Sequence, residues 1–169
     1  MTISLFEQFT SPATMIAAEQ ELLANPEGAV CILESLFSGQ AKNQFGVPYR
    51  ELGLPLRCAL EVVCRLGPIA KPLEGYLASE LRDGNFVAAM ALGSLGNVAE
   101  SSVAALVASL AGNGDLSYES AAALIRCGQA EHPLVVEVAS TSKNAANVLH
   151  KVAQSLSKEK ANAHLPPSA

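Results

Sequence analysis

The sequence contains no tryptophan, and aromatic residues make up only 5% of its 169 residues, whereas hydrophobic residues make up 50%. The scarcity of aromatic side chains argues against a β-sandwich, which is typically rich in aromatic and β-branched residues. Alanine, leucine and valine fill the apolar positions instead, which favours closely packed helices. The composition therefore predicts an all-α protein with a core large enough for one independently folding domain.

Clusters of basic residues are also missing. The 11 Lys and Arg residues are scattered and outnumbered by 16 Asp and Glu residues, which gives a formal net charge of −5. Binding to a nucleic acid depends largely on a basic stripe that neutralises phosphates, so we do not expect a nucleic-acid partner. A net negative charge suits, without requiring, a basic protein partner.

No apolar run approaches the roughly 20 residues that span a bilayer, so no membrane association is expected. The first residues, MTISLFEQFTSP, lack the basic and long apolar regions of a signal peptide. The four cysteines form no C-x-x-C pair and lie within apolar segments, where reduced and buried side chains are expected: Cys31, Cys58, Cys64 and Cys127. These features together predict a cytoplasmic protein.

Motifs for catalysis and metal binding are scarce. None of the three histidines, His132, His150 and His164, has a second metal ligand three or four residues further on, so surface or capping roles are expected. There is no G-x-S-x-G nucleophile motif, and GNGD at 112–115 lacks the rest of a phosphate-binding loop. We therefore expect a non-catalytic protein without a cofactor.

Capping signals predict the first helices. Ser11-Pro12 and Asn25-Pro26 each place a capping side chain before a proline at the first helical position, which predicts helices over 12–24 and 27–38. Residues 38–54 carry Gly, Pro and Asn without helical periodicity and predict the longest loop. We assign residues 1–54 to N-terminal capping helices and this loop.

The remainder of the chain repeats. Four segments place apolar or small residues at i, i+3, i+4 and i+7, and they are spaced by 29, 32 and 29 residues, starting at Ala59, Ala88, Ser120 and Leu149. A period near 30 residues is typical of stacked helical repeats. Three of the segments end before a glycine that can terminate a helix: Gly67, Gly96 and Gly128. Gly93 lies inside its segment, where we expect close approach of a neighbouring helix.

Each repeat also contains a preceding helix. Apolar stripes over 72–82, 103–111 and 133–142 predict these first helices, so each unit is a helix, a tight turn and a helix. The repeats are assigned to residues 55–157. Residues 158–169, which include two prolines, are expected to form a flexible C-terminal tail.

The segment AAMALGSLGN at 88–97, followed by Val103 to Leu110, resembles the short HEAT-like repeats of the kind named for the phycobilisome lyases. The resemblance implies a right-handed α-solenoid of stacked antiparallel helix pairs. It also suggests one alternative function, a lyase or chaperone-like subunit that handles a tetrapyrrole. The chain shows no distinctive cofactor motif, however, and Cys58 and Cys64 lack an evident activating base.

The second helices of such repeats commonly line the concave binding surface. Steps of four residues on the side opposite the apolar template give the candidate binding residues Arg57, Glu61, Arg65, Phe86, Met90, Tyr118, Arg126 and Lys151. Arg, Met, Phe and Tyr are enriched in protein interfaces, although Phe86 and Tyr118 could instead pack between repeats. The long loop offers Phe45 and Tyr49 as a second surface, or it covers the first repeat as a lid.

These features predict a non-catalytic adaptor or scaffold that binds another protein. A small acidic inhibitor, such as an immunity protein that masks a basic toxin or enzyme, is one concrete form of this hypothesis. The alternative is the tetrapyrrole-handling subunit.

Overall fold

The computed structural model describes residues 4–163 and is helical throughout this range, apart from loops and an isolated β-bridge between Lys42 and Pro48. This confirms the all-α prediction. Short 3₁₀ helices occupy Tyr49–Glu51 and Gly67–Leu73. The α-helices are α1 (Leu5–Gln8), α2 (Met15–Ala24), α3 (Pro26–Phe37), α4 (Gly53–Leu66), α5 (Glu74–Arg82), α6 (Phe86–Ser94), α7 (Glu100–Leu110), α8 (Asp115–Arg126), α9 (Pro133–Thr141) and α10 (Lys143–Ala163).

The two capping signals had different outcomes. Asn25 caps α3 as predicted: its side chain accepts a hydrogen bond from the Gly28 N–H at 3.2 Å, and Pro26 is the first helical residue. The predicted start at Pro12 is wrong, because α2 begins at Met15. Thr14, which precedes α2, donates its hydroxyl to the Gln8 carbonyl at 2.6 Å. This hydroxyl therefore ties the turn back to α1 instead of capping α2.

The helices that follow pack as pairs. α5 contacts α6, α7 contacts α8, and α9 contacts α10, so each first helix lies against its second helix. The second helices α4, α6, α8 and α10 contact one another in that order, as do the first helices α5, α7 and α9. At the N-terminal side, α2 packs against α4, and α3 packs against the 3₁₀ helix Gly67–Leu73. The N-terminal helices therefore cover the start of the repeated region.

The apolar template was correct for three of the four second helices. Every template residue of α4, α6 and α8 is buried, with exposures of 6% or less. In α10, Val152 is buried, but Leu149 and Leu156 are only half-buried and Ala153 is exposed. α10 packs mainly against α8 and α9. Within residues 4–163 no further helix pair covers its other side.

The two glycines of α6 and the following turn have separate roles. A Cβ atom on Gly93 would lie 2.9 Å from the Cα atom of Ala123 on α8, which confirms the predicted close approach of a neighbouring helix. Gly96 follows α6 with a φ of 81°, in the left-handed region that favours glycine. One glycine therefore permits helix contact, and the other permits the helix to end.

Three sequence predictions need correction. Residues 158–163 belong to α10, so the predicted tail begins too early, and residues 164–169 lie outside the described part of the chain. Cys31 is exposed rather than buried. The first repeat helix, predicted to begin at Pro72, begins at Glu74, because Pro72 lies in the 3₁₀ helix that precedes α5. Of the helices in the described range, none is both long and apolar enough to cross a bilayer.

Candidate functional site

Five of the predicted binding residues line one groove. Arg57, Glu61 and Arg65 come from α4, and Phe86 and Met90 come from α6. The groove has a volume of about 520 Å³, which is typical of ligand pockets. We call it the α4–α6–α8 groove, because its lining is completed by residues of all three helices: Cys64, Val87 and Glu119.

Local helix geometry accounts for this convergence. Residues four apart lie on one face of a helix, so Arg57, Glu61 and Arg65 form a single row along α4. The buried template of α4 occupies the other side of the helix. The contact at Gly93 lets α8 approach α6 closely. Helix α6 contacts both α4 and α8, so α4 and α8 flank α6.

The two arginines of the groove are already paired within the chain. The Arg57 Nε atom donates to the Glu61 Oε1 atom at 2.9 Å, and the Arg65 Nη1 atom donates to the Glu19 Oε2 atom at 3.4 Å. The arginine side chains are 66% and 55% exposed, so each pair contributes at most about 1 kcal/mol to stability. These exposed pairs therefore add little stability, and they leave each guanidinium group next to a carboxylate.

The carboxylate of Glu119, on the α8 wall opposite the arginines, is not paired in this way. Glu119 is half-buried, and no cation of the described chain lies within salt-bridge distance of its carboxylate. Burial raises the pKa of Glu119, the charge of Arg126 lowers it, and Asp115 raises it, with a net upward shift. The charged form of this carboxylate is therefore less well stabilised than it would be in water.

The apolar part of the groove is accessible. Phe86 is 39% exposed, so it is not enclosed between helix pairs, and Met90 beside it is half-buried. A methionine side chain is flexible and can adapt to different contacting groups. Together these two residues offer an apolar surface between charged walls.

The remaining second-helix residues line other hollows. Tyr118 and Lys151 line a polar hollow of about 370 Å³ between α8 and α10, which also includes Asn144 and Asn147. Arg126 lies in a third hollow, beside Leu156 of α10. The predicted row is therefore divided among three hollows along the second helices.

Of the two predicted binding residues in the long loop, one is buried and the other is exposed. Tyr49 is only 3% exposed, its ring lies 5.5 Å from that of Phe6, and its hydroxyl donates to the Glu7 Oε2 atom at 2.7 Å. The prediction of Tyr49 as a binding residue is corrected, because its side chain holds α1 in place. Phe45, in contrast, is 80% exposed. Its turn is fixed by the Asn43 side chain, which accepts hydrogen bonds from the Phe45 and Val47 N–H groups.

The local surroundings of Cys58, Cys64 and His132 indicate structural roles. Burial raises the pKa of both Cys58 and Cys64 to about 11, so these side chains are neutral thiols near neutral pH. His132 caps α9 by accepting a hydrogen bond from the Leu134 N–H, and its other ring nitrogen lies 3.0 Å from the Glu100 carboxylate. Among the described residues, no three His, Cys, Asp or Glu side chains form a group that could hold a metal ion.

Sequence reasoning did not identify Glu119. The residue precedes the buried alanines of α8 and lies one position outside the predicted row of Tyr118 and Arg126. Its position in the groove depends on how α8 packs against α6, which the spacing along one helix does not determine. The sequence does place Glu119 and Arg126 on one helix face, because they are seven residues apart, but this spacing relates Glu119 to the predicted row and not to the groove.

The fold and the groove define a class: an all-helical protein in which a row of neighbouring helices presents an apolar surface between charged walls. Comparison with known proteins does not refine this class further. No family model, curated protein or solved structure matches the chain.

Proposed function

We propose that this protein is a non-catalytic adaptor or inhibitor that binds another protein through the α4–α6–α8 groove. The observation that carries the proposal is the accessible apolar pair, Phe86 and Met90, beside the arginine-bearing face of α4. Protein interfaces typically have an apolar centre and a polar rim, and they are enriched in Arg, Met and aromatic residues. A volume of about 520 Å³ gives room for one or two side chains of a partner.

We extend the proposal to the fold: the helix pairs form a right-handed, HEAT-like solenoid. The consecutive contacts among α4, α6, α8 and α10, and separately among α5, α7 and α9, support this arrangement. In solenoids, each repeat contacts only its neighbours, and the stacked second helices offer an extended binding surface. The groove would then lie on the surface that such proteins commonly use for binding.

The tetrapyrrole-handling alternative has less support. Covalent attachment or transfer of a pigment through cysteine requires a thiolate. The pKa values of Cys58 and Cys64 are both raised to about 11, and burial is the main cause. Cys31 is exposed, but it lies on α3 and does not line the groove. We therefore favour the protein-binding function, of which an inhibitor that masks a basic protein is one form.

Site-specific photo-crosslinking tests this function. Phe86 is replaced by the photoreactive residue p-benzoylphenylalanine, and the protein is irradiated in an extract of its native host. We expect a discrete crosslinked product that disappears when excess unlabelled wild-type protein is added. Mass spectrometry of the product identifies the partner and the contacting peptide.

Ile69 provides the matched control. It is 49% exposed, comparable with Phe86, but it lies in the 3₁₀ helix Gly67–Leu73 and does not line the groove. The same photoreactive residue at position 69 should not give this product. Equal crosslinking from both positions, or none that wild-type protein competes away, would contradict a groove-based binding function.

A further inference from the structure

The charged groups of the α4–α6–α8 groove differ in whether they form salt bridges within the chain. Arg57 is paired with Glu61, and Arg65 is paired with Glu19, so an incoming anion would have to compete with a carboxylate already in place. The carboxylate of Glu119 has no salt bridge within the described chain. Glu119 is therefore the charged group of the groove that is available to a partner.

We propose that the groove accepts a lysine or arginine side chain of a protein partner, next to an apolar residue, and that Glu119 selects the positive charge. This inference rests on the proposed protein-binding function and specifies the chemistry of the partner. Glu119 is a specificity residue in this scheme, whereas Phe86 and Met90 provide apolar contact. The carboxylate of Glu119 has no salt bridge within the described residues, whereas both arginines are already paired. The groove is therefore complementary to a positively charged side chain.

The composition of the lining suits such a side chain. Lysine and arginine carry a long apolar stem that packs on apolar surface while the charged end reaches a polar group. Phe86 and Met90 offer that surface, and Glu119 lies on the wall formed by α8. Phe86 is 39% exposed, and an aromatic ring can also attract a cation that approaches its face.

The surroundings of Glu119 favour an external cation. Arg126, on the same helix, does not line the groove and lies beyond salt-bridge distance of Glu119. The nearby Cys64 thiol has its pKa raised to about 11 and carries no charge near neutral pH. A half-buried carboxylate gains more from a close cation than one fully in water does. The net charge of −5 would in addition speed the approach of a basic partner.

Selection from a displayed library of random dodecapeptides tests the inference. The immobilised baits are the wild-type protein, Glu119→Gln, and the double variant Phe86→Ala/Met90→Ala. We expect wild type to enrich peptides with Lys or Arg beside an apolar residue. Glu119→Gln should retain the apolar preference and lose the basic one, whereas the double variant should enrich neither. Glu131→Gln is the matched control, because it removes an exposed carboxylate outside the groove.

A binding cycle then measures the contact directly. The best lysine peptide is compared with its norleucine analogue, which keeps the apolar stem and lacks the charge. On wild type, the change to norleucine should weaken binding about tenfold, the effect of a well-placed ion pair. On Glu119→Gln it should have almost no effect. Circular dichroism melts of all variants verify that the comparison is made among folded proteins.

The outcomes separate the two proposals. Peptides that are apolar but not basic, and that depend on Phe86 and Met90, would overturn the role of Glu119 and leave the groove as a binding site. A preference for acidic peptides would also overturn it, and would identify Arg57 and Arg65 as the selecting groups. If no peptide distinguishes wild type from the double variant, both the inference and the proposed groove function are wrong.

Discussion

Gly93 and Ala123 bring the backbones of α6 and α8 into contact: a Cβ atom at position 93 would lie 2.9 Å from the Cα atom of Ala123 and 3.2 Å from its Cβ atom. Real Cβ atoms do not approach backbone so closely, so any larger residue must push the two helices apart. Because α6 and α8 both line the α4–α6–α8 groove, a change in their spacing would alter the groove as well as the packing of the core.

Gly93→Ala should destabilise the protein. Overpacking of a tight contact costs about 1–3 kcal/mol, and the better helix propensity of alanine returns about 1 kcal/mol, so the net loss should be at most about 2 kcal/mol. Urea unfolding followed by circular dichroism measures it. Gly75→Ala on α5 is the control, because nothing lies within 4 Å of a Cβ atom there and no loss is expected. Equal stability of the two variants would mean that α6 and α8 lie further apart.

Tyr49→Phe should lower stability by about 1–2 kcal/mol. The substitution removes the hydroxyl that donates to Glu7 at 2.7 Å and leaves the ring contact with Phe6 in place. A hydrogen bond to a charged group contributes about 1.5–3 kcal/mol when buried, and the half-exposed Glu7 reduces this value. Thermal unfolding measures the loss. In Tyr76→Phe, where the described structure gives the hydroxyl no hydrogen bond, the melting temperature should change little; a similar drop there would argue against a specific role for the Tyr49 hydroxyl.

Ser120→Ala should leave the protein as stable or make it more stable. The Ser120 hydroxyl is fully buried on α8 and has no hydrogen-bond partner. An unsatisfied buried polar group costs about 1–3 kcal/mol, and alanine removes it while leaving almost the same volume. Ser117→Ala is the control on the same helix, because the Ser117 hydroxyl donates to the Gly114 carbonyl at 3.2 Å. A loss of stability in Ser120→Ala but not in Ser117→Ala would reverse this interpretation.

Glu80 should make stability depend on pH. Burial raises the pKa of Glu80 above its ordinary value of 4.5, Arg50 lowers it, and Asp83 raises it, so the folded state holds the proton more tightly than the unfolded state. The contribution of this shift to the free energy of unfolding is fully present below pH 4.5, and it is lost as the pH rises through the pKa of Glu80 in the folded state. Relative to Glu80→Gln, the free energy of unfolding of the wild type should therefore fall across this window.

Glu74 gives the opposite sign and serves as the control for Glu80. Burial alone would raise the pKa of Glu74, but hydrogen bonds from Lys71, the Ala99 N–H and Ser102 outweigh burial and lower it. Its contribution is present above pH 4.5 and is lost as the pH falls. Urea unfolding of wild type, Glu80→Gln and Glu74→Gln at pH values below and above 4.5 measures both slopes. Slopes of the same sign would contradict the assigned surroundings of at least one carboxylate.

The sequence predicted features that depend on spacing along a single helix. The template of α6 and the row from Arg57 to Arg65 are correct because the period of the helix decides which residues share a face. The incomplete burial of α10 was not predicted, because it depends on whether a neighbouring pair covers the helix. The start of α5 was misplaced for a local reason, since the prolines at positions 68 and 72 accompany a 3₁₀ rather than an α-helical path.

The candidate site was predictable to a similar extent. Local spacing placed Phe86 and Met90 on the groove, whereas Glu119 enters it only through the crossing of α8 against α6. Tyr49 was assigned to a surface because it lies in a loop. Its partner Glu7 is 42 residues away along the chain, and no local pattern indicates that contact.

Two consecutive residues of the long loop, Tyr49 and Arg50, hold three separate segments. Tyr49 bonds to Glu7 of α1, whereas Arg50 donates to the Phe37 carbonyl of α3 and pairs with Glu80 of α5 at 3.2 Å. A stack held only by contacts between successive pairs can fray from its ends, one unit at a time. The contacts of Tyr49 and Arg50 oppose such fraying at the N-terminal side. Detachment of α1 must also break the Tyr49–Glu7 hydrogen bond, and Tyr49 belongs to the same loop that binds α3 and α5 through Arg50.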